Sequence, residues 1–159
     1  MIAIKHFRKL IRDALDPPFS LYSVDAEELL VITAAQESLG GTYLWQNDVL
    51  GFPKGPAIGP FQVEPATHDD LWNNFLKYRP ILAKPLGDAS AGRMAWDWYY
   101  AIRIARLNYY RFPTPIPADF EGQIRYYKKY WNTELGAATL DEVRRNYTLF
   151  TGSGGGKND

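Results

Sequence analysis

Between residues 51 and 60 the chain sets three glycines and three prolines: Gly51, Pro53, Gly55, Pro56, Gly59 and Pro60. Proline removes an amide donor and fixes φ, and glycine weakens any helix that holds it. A helix cannot run through such a stretch. The flanking segments read as amphipathic helices, so the chain has to interrupt a helical fold here with an irregular wall. The stretch 42–63 also carries Tyr43, Leu44, Trp45, Phe52, Ile58 and Phe61. A long loop with that many large apolar groups needs something to cover. Short extended pieces are expected around 42–45 and 57–63.

The segment before this wall ends unusually. Ala26, Leu29, Leu30 and Thr33 form an apolar stripe at helical spacing, and the next position in the series is Glu37. Gly40-Gly41 then stops the helix. A carboxylate on the inner face at the open end of a helix is where burial would favour the neutral acid. A solvated glutamate in the last turn is the plainer reading, and this segment alone leaves both open. Asp25, with Glu28 three residues on, has capping-box spacing.

The remaining segments follow the same logic. Ile4, Phe7, Ile11 and Leu15 predict a helix over 3–15, stopped by Asp16-Pro17-Pro18. Thr67 is a good cap for the next helix, whose buried stripe is Leu71, Trp72, Phe75 and Leu76. His68, in its first turn, is expected to be solvated. Ser90 is expected to cap a longer helix over 91–111, with Met94, Trp98, Ala101, Ile102, Ala105 and Tyr109 inward, as the central core helix. Pro113 to Pro117 reads as a rigid turn, and 119–131 as a helix carrying Phe120, Ile124, Tyr127 and Trp131. Thr139-Leu140-Asp141-Glu142 is a capping box ahead of a last helix. The expectation is a mainly α fold of about six to seven helices around a central helix. One domain covers 1–151, and a flexible glycine-rich tail covers 152–159.

Composition narrows the chemistry. The 159 residues hold 18 basic and 18 acidic side chains, no cysteine and two histidines. Disulfides, thiol catalysis and Cys-containing zinc sites are excluded, and neither a metal nor a cofactor is expected. Balanced charge gives no field for nucleic acid. The segment Met1 to Lys9 is too charged for a signal peptide, and no run nears the roughly 20 apolar residues of a membrane span. Five Trp, eleven Tyr and eight Phe suit stacking on sugar rings, since the neutral charge argues against bases.

Two motifs then line up. Glu37-Ser38 stands at a helix end before glycine, and Gly59-Pro60-Phe61-Gln62-Val63-Glu64-Pro65-Ala66-Thr67 follows the loop. Together they resemble the lysozyme-like superfamily, and within it the soluble lytic transglycosylases and goose-type lysozymes. That family has a catalytic Glu-Ser pair followed by Gly-Leu-Met-Gln and a Met-Pro-Ala-Thr-like run. Gly59, Gln62, Pro65, Ala66 and Thr67 match, while Pro60 and Phe61 replace Leu-Met. Ala101 to Tyr109 is similar to a further family helix, without its Asn and Gly. Tyr130-Trp131-Asn132 is a remnant of a closing Tyr-Asn-Ala-Gly motif. The resemblance covers residues 25–135 and is firm over 34–67.

The resemblance implies a lysozyme-like α+β architecture with 42–63 as one wall of a glycan cleft. It implies cleavage of the β-1,4 bond between N-acetylmuramic acid and N-acetylglucosamine in peptidoglycan, with Glu37 as acid and then base. The alternative is an inverting muramidase with a second carboxylate about 6.5–9.5 Å away, for which Asp48 and Glu64 are the candidates. The neutral amide of Gln62 at the matched position favours the single acid. Ser38, Gln62, Trp45, Phe52, Phe61, Tyr127, Tyr130 and Asn132 are the expected substrate-binding residues. Peptidoglycan glycan strands are the expected partner of a monomeric or virion-associated protein, with no membrane insertion. The implied setting is a bacteriophage lysis or virion-entry enzyme, made in the host cytoplasm and acting on the cell wall. A non-catalytic glycan-binding or structural virion module is the reading from outside the enzymes.

Overall fold

Ser23 starts the helix that carries Glu37. Its hydroxyl accepts from the Ala26 N–H at 3.0 Å, so the cap lies two residues earlier than the expected Asp25. The computed structural model describes residues 1–45, 55–133 and 135–152. Over these the chain is mainly helical, with α1 at Ile4–Leu15, α2 at Val24–Ser38, α3 at Pro65–Asn74, α4 at Pro80–Ala83, α5 at Trp98–Tyr110, α6 at Phe120–Tyr127 and α7 at Leu140–Thr151. Among the described residues the extended pieces reduce to isolated antiparallel bridges, Trp45 to Ile58 and Ile58 to Val63. No helix among them is long and apolar enough to cross a membrane. The Gly-rich tail expected at 152–159 lies outside the described residues from 153 on, and Gly152 caps α7 with φ 72°.

The central helix is α2, not the expected 91–111. Every residue from Ala26 to Ala35 is buried, and α1, α5, α6 and α7 all pack against it. A helix buried on all sides has no polar face. That is why the stripe read from the sequence is only part of its buried surface. The expected long helix breaks instead. Ala91–Ala95 forms a short 3-10 turn, and α5 begins after Asp97, whose carboxylate accepts from the Tyr100 N–H at 3.0 Å. Ser90 makes no side-chain cap. His68, expected in solvent, is buried, with Nε2 2.7 Å from the Tyr100 hydroxyl and Nδ1 2.8 Å from Asp69. Thr139 forms both halves of its predicted capping box with Glu142.

Both ends of α2 are fastened. At the N-terminal end Glu27 and Glu28 are 4% and 8% exposed. Arg12 of α1 donates to Glu27 through Nε at 2.8 Å and Nη2 at 3.0 Å, Arg8 adds a bond at 3.2 Å, and the Tyr22 hydroxyl adds one at 2.9 Å. Arg8 also pairs with Glu28 at 2.9 Å, and Tyr147 of α7 donates to the same carboxylate. At the C-terminal end Leu39 and Gly40 take left-handed φ values of 48° and 62°. A Cβ at Gly40 would overlap the Phe150 ring. Gly40→Ala combines the left-handed penalty with overpacking and is expected to cost about 2–3 kcal/mol. The urea midpoint at pH 7 checks it, and an unchanged midpoint would show that the ring has room to move.

Candidate functional site

Glu37 occupies the last turn of α2, where the helix emerges from the core. Burial against the apolar interior pushes its carboxyl up to about 7, partly offset by a hydrogen bond from Tyr127. That bond runs from the Tyr127 hydroxyl to Glu37 Oε1 at 2.6 Å. Tyr127 ends α6, and its own hydroxyl is held far above the ordinary phenol range, first by burial and then by Glu37. It therefore stays protonated and donates to Glu37. Oε2 has no hydrogen-bond partner among the described residues, so one carboxyl oxygen is anchored and the other is free. Below the pair lies a layer of tyrosines. Tyr109 bonds Thr33 of α2 at 2.7 Å and packs on Trp131 with ring centroids 5.1 Å apart.

The free side of Glu37 faces a cleft of about 220 Å³ lined by Glu37, Gln62, Val63, Glu64, Thr67, Asn108, Trp131 and Asn132. Four parts of the chain meet there: the end of α2, the 62–67 run into α3, α5, and the wider π turn Lys128–Asn132 that extends α6. The expected helix over 119–131 thus ends at Tyr127 and loosens by a turn. Asn132, within that turn, accepts from Lys128 Nζ at 2.6 Å. Asn108 Oδ1 is buried with no hydrogen-bond partner. An orphaned acceptor beside a cleft is a cost that a ligand N–H would remove.

Of the residues read from the sequence, the cleft brings together Glu37, Gln62, Glu64 and Asn132, with Tyr127 on Glu37 itself. The amide nitrogen of Gln62 donates to Gly59 O at 2.8 Å and Tyr43 O at 3.3 Å. What Gln62 keeps for a ligand is its acceptor oxygen. Four of the expected substrate-binding residues lie outside the lining of this cleft. Ser38 is 1% exposed. Its hydroxyl donates to Pro60 O at 2.6 Å and accepts from the Gly41 N–H at 2.8 Å, tying the helix end to the loop. Phe61 is 1% exposed and packs in the core against Phe7 with centroids 6.1 Å apart. Trp45 is 56% exposed, pairs with Ile58 and does not line the cleft. Tyr130 turns away, donating to Thr114 Oγ1 at 2.8 Å and packing on Phe112 and Tyr126. Asp48 and Phe52 lie outside the described residues.

The sequence reading missed Trp131 as a cleft residue because it falls within an apolar helical stripe that reads as core, and Asn108 because nothing marks a lone amide beside the stripe of its helix. Among the described residues no group of three His, Asp or Glu side chains could hold a metal ion.

Tyr127→Phe removes the one bond that lowers Glu37, so its titration midpoint is expected to move above 7. Carbon-13 NMR of the Glu37 carboxyl reads this directly. A midpoint that falls, or stays put, would mean that the hydroxyl does not stabilise the carboxylate.

Comparisons with family models, with curated proteins and with solved structures return no match.

Proposed function

We propose that this protein has a lysozyme-like fold and cleaves peptidoglycan strands between N-acetylmuramic acid and N-acetylglucosamine, as a lytic transglycosylase with Glu37 as its acid and base. The observation that carries this reading is a carboxyl in the lining of the cleft, pushed up to about 7 by burial, with one oxygen anchored by Tyr127. A general acid works best when its pKa lies near the working pH.

In the proposed reaction the protonated Glu37 gives its proton to the bridging glycosidic oxygen as the bond from that oxygen to the muramoyl C1 breaks. The N-acetylglucosamine chain leaves as an alcohol. Positive charge develops at C1, as in other glycosidic cleavages. The 6-hydroxyl of the same muramoyl ring then bonds to C1, and the Glu37 carboxylate takes its proton. The product is a 1,6-anhydro sugar, no water is consumed, and the acid is restored. Gln62 and Asn108 contribute acceptors for sugar N–H and O–H groups, and Trp131 is the aromatic side chain available for stacking.

The second reading is hydrolysis with inversion. It is favoured by one observation, that Glu64 lines the same cleft. Mass spectrometry of fragments from purified peptidoglycan separates the two. Anhydro ends are expected, reducing ends would convert the assignment to a muramidase, and no fragments at all would end both.

A further inference from the structure

A second and larger cavity of about 510 Å³ lies beside the cleft, and three arginines, Arg79, Arg106 and Arg111, line it. The cavity and cleft are neighbours on two elements. In α5, Asn108 lines the cleft, and the next residues, Tyr109 to Arg111, line the cavity. In α3, Thr67 lines the cleft, and Phe75, just beyond the end of the helix, lines the cavity about 12 Å further along at helical rise. Tyr109 separates the two spaces, since its ring packs on Trp131.

The charges there are under-compensated. Arg111 gives Nη1 to Asp70 at 2.8 Å, but its Nε is buried with no partner. Arg106 gives Nε to Leu21 O at 3.1 Å and has no carboxylate partner among the described residues. Arg79 stacks on Phe75 with its guanidinium 3.9 Å from the ring centre and donates to Phe75 O at 3.3 Å. Burial lowers the Arg106 pKa, opposed by Tyr126 and Tyr110 and by no carboxylate. In a chain of zero net charge, a cavity with three cations and one flanking acid is a local excess. Guanidinium forks with unused donors, those of Arg106 and Arg111 partly buried, match a planar carboxylate.

We propose that this arginine cavity is a subsite for a carboxylate of the peptide stem that hangs from the muramoyl residue, adjoining the glycan cleft. The inference rests on the peptidoglycan reading for its ligand, and its test does not depend on turnover. The probe is N-acetylmuramoyl-L-alanyl-D-isoglutamine, added to nitrogen-15-labelled Glu37→Gln protein. Its neutral carboxamide analogue is the control.

The carboxylate probe is expected to shift the amide signals of 106–112 and Arg79, and the carboxamide is not. Arg79→Gln, at an exposed position, is expected to weaken binding by roughly fivefold or more, and Arg106→Gln by at least as much if it folds. Equal shifts from both probes, no shifts, or unchanged affinity in Arg79→Gln would overturn the subsite. If the probe binds but the wild-type protein releases no peptidoglycan fragments, the cleavage reading fails and the subsite stands. If fragments are released and the probe does not bind, the subsite alone fails.

Discussion

Glu37→Gln is expected to cut fragment release from purified peptidoglycan by roughly 10²–10⁴-fold, the usual worth of a positioned general acid. Gln retains the oxygen that accepts from Tyr127, so the cleft keeps its shape while the transferable proton is gone. The wild-type rate should fall as pH rises through about 7, because the protonated form is the donor. Stability should fall over the same rise in pH. The carboxyl is raised from 4.5 to about 7, so the folded protein holds a proton that the unfolded chain gives up between those values. The stabilisation is therefore complete below about pH 4.5 and is lost as pH rises to about 7. Gln pays no such cost. At pH 8 the inactive variant is expected to be the more stable, by up to about 3 kcal/mol, with the advantage shrinking toward pH 5. Urea unfolding at the two pH values checks this. A variant no more stable than wild type at pH 8 would mean that the Glu37 carboxylate is well solvated.

The largest purely structural effect is expected at Glu27. Burial alone would raise its pKa, but bonds from Arg12, Tyr22 and Arg8 outweigh burial and lower it. Glu27→Gln leaves those donors facing an amide and is expected to cost about 3 kcal/mol, toward the lower end for a broken buried pair because Glu28 still holds Arg8. Arg12→Gln should cost much less, since the Arg12 side chain is 53% exposed. The lowered pKa fixes the sign with pH. Stabilisation from Glu27 is present above the ordinary 4.5 and is lost as pH falls below it, so the variant's stability should depend less steeply on pH in acid. Denaturant titrations of wild type and variant from pH 7 to pH 3 measure both. Parallel curves would remove Glu27 from the acid response.

Glu37 was legible in the sequence only once the Gly59-to-Thr67 motif downstream joined its local signals, an apolar stripe with a carboxylate next in register and glycines to end the helix, which by themselves left a solvated glutamate open. The Thr139 cap was legible locally, since a capping box is complete within four residues. The failures share a cause. His68 looked solvated from its own turn, but Tyr100, 32 residues away, draws it inward. Phe61 looked like a cleft wall because it stands beside Gln62, but both lie in the turn from Gly59 to Gln62, where Gln62 takes φ 47° and Phe61 packs inward on Phe7. Ser90 looked like a cap, but Asp97 offered the same service closer to the continuous helix. The arginine cavity gave no sequence signal at all. Its three cations are scattered over 33 positions and converge only when the segment between α3 and α4 meets the end of α5.

One helix carries two carboxylates that respond to protons in opposite senses. Glu27, at the start of α2, has to stay ionised to keep its ion pairs with Arg8 and Arg12 of α1. Glu37, at its end, has to stay protonated to serve as an acid. The working pH range is thus bracketed by a single rod, with a mechanical limit on the acid side and a chemical limit on the alkaline side. Below the range the protein fails by loosening; above it, an intact fold stops turning over. A melting curve should therefore decline on both sides, in acid as Glu27 is protonated and toward pH 7 as Glu37 ionises, whereas Glu37 makes the rate curve decline on the alkaline side.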